Sequence, residues 1–387
     1  MANPIIHLVK MRLGYDVRPF LREETGVGVY LRNLLGALAQ IDRDNEYFLF
    51  SASFKQRFPR EKIPAFERMT FRDSRLPVRA VNFFWNKLGW PGLDGLFKVN
   101  LDIVHSAIPL ILPTRGKKVV TVHDLYFCDY PDQANPEARR YFKKQIGLSL
   151  GRADGVVTIS SATRNDLLER FGIPEEKVRL IYHGIDPLFL QDSPPEEQEL
   201  ARKNYSLPWT FILFVGALEP RKNLLGLLSA LKIVHQRLDT IPLVVAGFQP
   251  PGAESLRHQI VAGGLEPWVR FLGHVPGRLL RSLYHQASVL VFPSFCEGFG
   301  LPLLEAMASG LAVAAAGVSS LPEIGGEAAL YFDPRSPEEM AQAIIRLLSD
   351  NELRRALIAR GKKRVMGFSW AKTAAETLEF YRSLLGG

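Results

Sequence analysis

Cysteine is almost missing from this chain. Its 387 residues hold two, Cys128 and Cys296, far apart and without the spacing of metal ligands, which excludes a disulfide framework and a structural zinc site. Cys296 adjoins Glu297 and reads as a small packing group, with a reactive thiol as the alternative. No apolar run approaches the roughly 18 residues that span a bilayer, and the start, MANPIIHLVK, lacks the basic flank and long apolar core of a signal peptide. The expectation is a cytoplasmic protein, soluble or peripheral at the inner membrane face. No internal repeat of solenoid length appears.

What is present is a chain too long for one core, and two domains of about 190 residues each are expected. The formal charge of +8 is unevenly spread: residues 1–190 hold 28 basic against 21 acidic side chains, residues 191–387 hold 20 against 19. Within the first half, residues 54–90 interleave Lys55, Arg57, Arg60, Lys62, Arg68, Arg72, Arg75, Arg79 and Lys87 with Phe54, Phe58, Phe66, Phe71, Phe83, Phe84, Trp85 and Trp90. Such a run suits an anionic membrane surface. It equally suits a solvated basic face over core aromatics. A nucleic-acid surface shares the composition, but no nucleic-acid partner is expected.

Along the chain, short apolar runs alternate with helical stripes. Residues 5–9 read as a strand, followed by a polar loop to TGVG at 25–28 and a helix carrying Leu31, Leu34, Leu35, Leu38 and Ile41. Further strands are expected at 47–51, 102–105, 118–122, 155–159 and 178–182. QDSPPEEQE at 191–199 reads as a linker. The alternation restarts at 210–216, with a helix of Leu224, Leu227, Leu228 and Leu231 and strands near 242–246, 269–272, 288–292 and 312–315. Helices near 336–349, 351–366 and 370–385 close the chain, the last capped by Ser369. The pattern predicts an α/β protein of two doubly wound parallel sheets facing across a cleft.

The most informative run is EGFGLPLLE, bracketed by Glu297 and Glu305. Gly298, Gly300 and Pro302 do not suit a helix interior, so Glu297 is expected on a loop, Pro302 at the first position of a helix and Glu305 in its first turn. The opening N–H groups of a helix suit a phosphate or sugar hydroxyls. Flanking carboxylates favour a phosphate-bearing sugar over bare phosphate, since they accept hydroxyls and repel anions. The plain alternative is a solvated Glu297 and a Glu305 that only stabilises the helix dipole.

Other residues converge on the strand ends. Arg221 and Lys222 lie in the turn EPRKN between a strand ending at Gly216 and a helix, where cations suit a diphosphate or mark a solvated helix start. Gly26 and Gly28, in the loop before the first long helix, permit close approach to phosphate or form a turn. His123 ends the strand VVTV and precedes Asp124; His183 and Asp186 follow the strand RLIY. An isolated His-Asp pair is usually structural. Asp42 and Asp44 form an Asp-x-Asp pair of a kind that holds divalent cations, but they follow a helix rather than a strand, and no metal is expected.

The glutamate pair with seven residues between, together with FVGALEPRKN at 214–223, TVHD at 121–124, TISSATRNDLL at 158–168 and HGID at 183–186, resembles the retaining glycosyltransferases of GT-B fold in the group-one family, also called family 4. The resemblance covers nearly the whole chain. It implies an acceptor-side domain over 1–190, a nucleotide-sugar domain over 200–366, and a final helix, within 367–387, that crosses back to the first domain. It implies a hexose transferred from a nucleoside-diphosphate sugar to a hydroxyl of a glycan or lipid-linked acceptor, with retention by front-face attack and no cofactor or metal. GDP-mannose is the favoured donor, a UDP-sugar the other.

By the same resemblance Glu297, His123, Arg221 and Lys222 are the catalytic candidates. Arg221 and Lys222 face the leaving phosphate, Glu297 the sugar and Glu305 the ribose. Gly26, Gly28, Gly216, Gly298, Phe299, Gly300 and Leu301 complete the donor site, and the backbone of His274 and Val275 reads the base. His123, Asp124 and His183 are acceptor-side candidates. Ala217 stands where many members have arginine, and Arg221 is expected to replace that charge; His183 stands where asparagine is common. His123 is the candidate base for an inverting reaction. The rival readings are a GT-B nucleotide-sugar epimerase, a non-catalytic nucleotide-sugar binder and a basic membrane adaptor.

Overall fold

The computed structural model describes residues 10–21, 26–54, 57–130, 145–248 and 254–386. The first sheet contains β1 (Arg12–Asp16), β2 (Glu46–Ala52), β3 (Met69–Ser74), β4 (Ile103–Ser106), β5 (Lys117–Val122), β6 (Gly155–Thr158) and β7 (Val178–Leu180), in the order β3-β2-β1-β4-β5-β6-β7. The second contains β8 (Ile212–Val215), β9 (Leu243–Ala246), β10 (Val269–Gly273), β11 (Val289–Phe292), β12 (Val313–Ala316) and β13 (Leu330–Phe332), in the order β10-β9-β8-β11-β12-β13. Neighbours pair in parallel throughout, as between β8 and β11. The central strands ILFV, VLVF and VAAA are buried along their whole length, as expected where helices cover both faces of a sheet. Both sheets reverse their strand order at the centre, between β1 and β4 and between β8 and β11. The crevices at those reversals, beyond the carboxyl ends of the strands, are where ligands of such sheets sit.

The strand expected at 5–9 lies outside the described residues, as do Thr25 and Lys55. Three strands, β1, β3 and β13, and a helix over Val78–Lys87 were not expected, and β1 replaces part of the polar loop expected before residue 25. β3 is an edge strand without a fully buried residue, so its sequence carries no apolar alternation. The expected linker at 191–199 is corrected. Pro195–Tyr205 is a helix with proline in its first turn followed by Glu196 and Glu197, features that open a helix rather than break one. It packs on the second domain, where Glu197 pairs with Arg281 at 2.5 Å and Ala201 is fully buried.

The segment 54–90 divides. Phe58 and Trp85 are buried and Phe66 and Phe71 pack on the first core, while Phe54, Phe83, Phe84 and Trp90 are exposed. Among the described residues no helix is long and apolar enough to cross a membrane. The helix α1 (Gly26–Ile41) lies on the first sheet beside the last helix of the chain, Trp370–Leu384. Ser369 caps that last helix, its hydroxyl accepting the Lys372 N–H at 3.2 Å. Tyr381 reaches the first core, its hydroxyl 2.6 Å from that of Tyr15 and 2.5 Å from His105 Nδ1. The end of the chain therefore returns to the first domain.

Candidate active site

Two loops at the reversal of the second sheet carry the charges. After β8 the chain passes Gly216 and a short turn over Pro220–Lys222, ending at Asn223 with φ 55°. The Asn223 side chain accepts the Gly226 N–H at 3.2 Å, capping the next helix, and donates to the carbonyls of Pro293 at 3.1 Å and Pro334 at 2.7 Å. One amide thus ties the turn to the loop after β11. Across that tie Lys222 Nζ lies 2.5 Å from Glu297 Oε1, and Arg221 Nη1 lies 3.3 Å from Oε2. Arg221 Nε also donates to Glu219 at 2.8 Å.

Lys222 and Glu297 are only 7% and 8% exposed. Burial penalises both charges. At Lys222 that penalty, helped by the Arg221 cation, outweighs Glu297 and lowers the ammonium. At Glu297 burial is overcome by two cations, which hold the carboxyl below its usual range. The Glu297 backbone is held as well: its N–H donates to Ser319 Oγ at 3.0 Å and its carbonyl accepts from Ser320 Oγ at 2.9 Å.

The glycines of EGFGLPLLE have distinct causes. Gly300 has φ 101° and caps α2 (Leu301–Ala308), a backbone state that a side chain disfavours. A Cβ on Gly298 would lie 2.0 Å from the His123 carbonyl oxygen, in the other domain. Two expectations are corrected here. Leu301 rather than Pro302 opens the helix, so Pro302 is its second residue, and Glu305 lies beyond the first turn. Glu305 instead accepts a hydrogen bond from Tyr284 Oη at 2.8 Å. Burial, with Asp186 adding repulsion, pushes its carboxyl up to about 7.

Glu305 faces a cleft of about 440 Å³ between the domains. The second domain contributes Gly216, Ala217, Gly247, His274, Val275 and Leu301; the first contributes Val29, Arg32 and Asn33 of α1 and the crossing segment Gly184, Asp186 and Leu188. Gly26 and Gly28 are corrected from loop to the first turn of α1, immediately before the lining residue Val29. Lys222 adjoins the cleft through Gly216, where a Cβ would meet its side chain at 3.6 Å.

The acceptor-side candidates meet the second domain at one seam. His123 Nε2 donates to the Ala107 carbonyl at 2.9 Å, leaving Nδ1 as the acceptor, and burial pushes the imidazole down to about 4. It is neutral at pH 7. Asp124 has its carboxyl raised by burial against the pull of Arg221. His183 is not on a rim: it stacks on Tyr30 at 4.9 Å and lies 4.8 Å from Phe299 and 5.4 Å from Trp370. Neither of its ring nitrogens has a partner among the described residues. That is the place of a packing residue between the domains.

Asp42 is occupied locally, accepting from the Asp44 N–H at 3.1 Å, the Asn45 amide at 2.8 Å and the Tyr47 hydroxyl at 2.5 Å. Among the described residues no group of three His, Cys, Asp or Glu side chains is placed to hold a metal ion. The Cys296 thiol is pushed up to about 12 by burial and by Asp124, so it is an inert packing group. Sequence reasoning missed Tyr284, Ser319, Ser320 and Asn223. Only Tyr284 left a signal, as a tyrosine within the apolar face of its helix whose hydroxyl needs a partner.

Two family models match the chain: the one described as Glycosyltransferase Family 4 over residues 25–188, and the one described as Glycosyl transferases group 1 over residues 197–364. Among curated proteins it is similar to O-antigen chain mannosyltransferase B of Escherichia coli, 30% identical over 97% of this chain and 100% of that one. Among solved structures it is similar to sucrose-phosphate synthase from Thermosynechococcus elongatus, with a TM-score of 0.75 at 23% identity over 97% of this chain and 100% of that one. It is also similar to Anabaena Alr3699/HepE, solved in complex with UDP and glucose, with a TM-score of 0.73 at 18% identity over 96% and 100%.

Proposed function

The chain belongs to the group 1, family 4 glycosyltransferases, with the GT-B fold, and from that premise we propose that it moves a hexose, mannose favoured, from a nucleoside-diphosphate sugar to a hydroxyl of a glycan or lipid-linked acceptor. Anomeric configuration is retained and no metal takes part. The observation that carries this reading is the Arg221–Lys222–Glu297 cluster at the strand reversal of the second sheet, beside a cleft lined by Glu305. Breaking the sugar–phosphate bond builds positive charge at the anomeric carbon and negative charge on the leaving diphosphate. A carboxylate near the first and cations near the second, fixed before the reaction, stabilise that separation. Arg221 and Lys222 supply the cations that a metal supplies elsewhere. Glu305 accepts ribose hydroxyls, and the backbone at His274 and Val275 meets the base. His123, neutral and hydrogen-bonded to the first domain, presents Nδ1 to the sugar or the incoming hydroxyl; an imidazole held near pKa 4 is a weak base at pH 7, which favours retention over a base-driven inversion.

GDP-mannose is proposed as the donor on the strength of the full-length relative named as a mannosyltransferase. An anionic membrane surface is proposed as a partner. From Ser74 to Leu93 there is no acidic residue, and exposed Phe83, Phe84, Leu88 and Trp90 share that stretch with exposed Arg75, Arg79 and Lys87. Thermal shift against a panel of nucleotide sugars tests the donor, since a ligand stabilises the native state according to its affinity. GDP-mannose is expected to give the largest shift, and transfer to persist in excess chelator. A larger shift with a UDP-sugar overturns the donor; loss of turnover restored by magnesium overturns metal independence. Donor consumed without any acceptor identifies an epimerase instead.

A further inference from the structure

We propose that Glu323 is a positioning residue that locks the two domains together and, through the segment it stands on, seats Glu297; the proposal rests on the site reading above. The run TISSATRNDLL forms the end of β6 and the helix Ser161–Phe171 of the first domain. Ser160 caps that helix, its hydroxyl accepting the Thr163 N–H at 3.1 Å. The next free donors, the N–H groups of Ser161 and Ala162, go to the other domain: they donate to the two carboxylate oxygens of Glu323 at 2.7 and 3.2 Å. Tyr182 Oη donates to the same carboxylate at 2.8 Å. A carboxylate at a helix N-terminus meets unpaired donors and the positive end of the dipole together. An ordinary cap comes from within the chain segment itself; this one is supplied from 161 and 162 residues away, in the other domain.

The other end of the device is the Glu297 loop. Glu323 stands on the short helix Leu321–Gly325, whose preceding residues Ser319 and Ser320 bond the N–H and the carbonyl of Glu297. Arg364 pins the helix by donating to the carbonyls of Glu323 at 2.6 Å and Ile324 at 2.9 Å. Five residues therefore run from the amides of a first-domain helix to the backbone of the candidate catalytic carboxylate. Separating the domains breaks the Glu323 bonds, and closing them fixes both ends.

Hydrogen exchange on the full chain tests this without needing turnover. In Glu323→Gln the amides of Ser161, Ala162 and Glu297 are expected to exchange at least about tenfold faster while the central strands of both sheets keep their protection. Hexose transfer is expected to lose at least about tenfold in kcat with the donor KM within about threefold, a split that general destabilisation does not produce. Ser161→Pro, which deletes one donor at a position where a helix accepts proline, should reproduce the faster Ala162 and Glu297 exchange, and Ser161→Ala should not. Unchanged exchange at Ser161 and Ala162 in the Gln variant overturns the lock. Faster exchange there with Glu297 still protected overturns the coupling. If the Gln variant fails to fold, Tyr182→Phe carries the same measurement with one hydroxyl removed. A wild-type chain that transfers no hexose refutes the proposed function and leaves the exchange result to decide the lock.

Discussion

Replacing Lys222 with methionine isolates the chemistry of the buried pair. The change keeps most of the side chain's volume and removes a cation 2.5 Å from a carboxylate that is 8% exposed. Removing one partner of a buried pair costs about 3–5 kcal/mol, because the remaining charge is left without compensation. Arg221, 3.3 Å from the other oxygen, stays in place, so the lower end, about 3 kcal/mol, is expected. At about 2–4 °C per kcal/mol for a domain of this size, that lowers Tm by roughly 6–12 °C. Glu297→Gln strands Lys222 in the same way. The double variant, Lys222→Met with Glu297→Gln, holds no stranded charge and should return to within about 1 kcal/mol of wild type, giving a coupling energy of about 5 kcal/mol. Transfer behaves differently: each single variant and the double variant should lose at least about tenfold, since the double restores packing and not charge. Because Glu297 is held low, the stability it contributes is present above the unfolded carboxyl pKa, about 4.3, and is lost as pH falls through the lower folded value. Denaturation and product analysis on the four proteins read both quantities. Additive stability losses in the double variant refute the coupling, and wild-type turnover in Lys222→Met refutes the site.

Gly298→Ala puts a methyl 2.0 Å from a carbonyl of the other domain, forcing the seam open by about 1 Å; misplacement on that scale costs about a hundredfold in kcat, and turnover near wild type would show that the seam does not set the geometry. Glu305→Gln should be more stable than wild type at pH 8 and equal at pH 4. A carboxyl lifted from 4.5 to about 7 keeps its stability below the unfolded value and loses it as pH rises through the folded one, by about 2 kcal/mol after allowing for partial exposure. A pH-independent difference in Tm would contradict that. Reversing Arg75, Arg79 and Lys87 to glutamate should weaken binding to anionic vesicles by more than about a hundredfold, at about 1 kcal/mol per cation. Unchanged partitioning would leave those residues as a solvated face.

Much of this was readable because local pattern and tertiary role coincide. Continuous apolar runs such as VLVF suit strands buried on both faces of a parallel sheet, so the central strands of the second sheet are legible to within a residue or two, whereas β1, with the sequence RLGYD, carries no such run. EGFGLPLLE was readable because glycine and proline constrain backbone directly. The errors have the opposite cause. β3 gains its hydrogen bonds from β2 and not from burial, so it left no periodicity. QDSPPEEQE contains the residues of both a break and a helix start, and packing on Gly277–Gln286 decides between them. Glu305 falls one residue beyond the first turn, where it was expected, because Leu301 rather than Pro302 opens the helix. His183 looked like a ligand because its role is set by Phe299 and Trp370, far along the chain.

The two cations, alike in sequence, differ in what it costs to move them. Lys222 is bound to a buried carboxylate, and drawing it away leaves an uncompensated charge worth about 3–5 kcal/mol. Arg221 shares its guanidinium between Glu297 and Glu219, and Glu219 is 43% exposed; leaving an exposed partner costs about 0–1 kcal/mol. Its guanidinium also lies 5.6 Å from the ring of Tyr126, in the first domain. On the proposed reading the diphosphate therefore takes Arg221 from Glu219 at little cost, while Lys222 stays in place and keeps Glu297 ionised. On that reading Arg221, four residues on from Ala217, reaches the phosphate and touches both domains. Charge on the leaving group and closure of the cleft meet at that one residue.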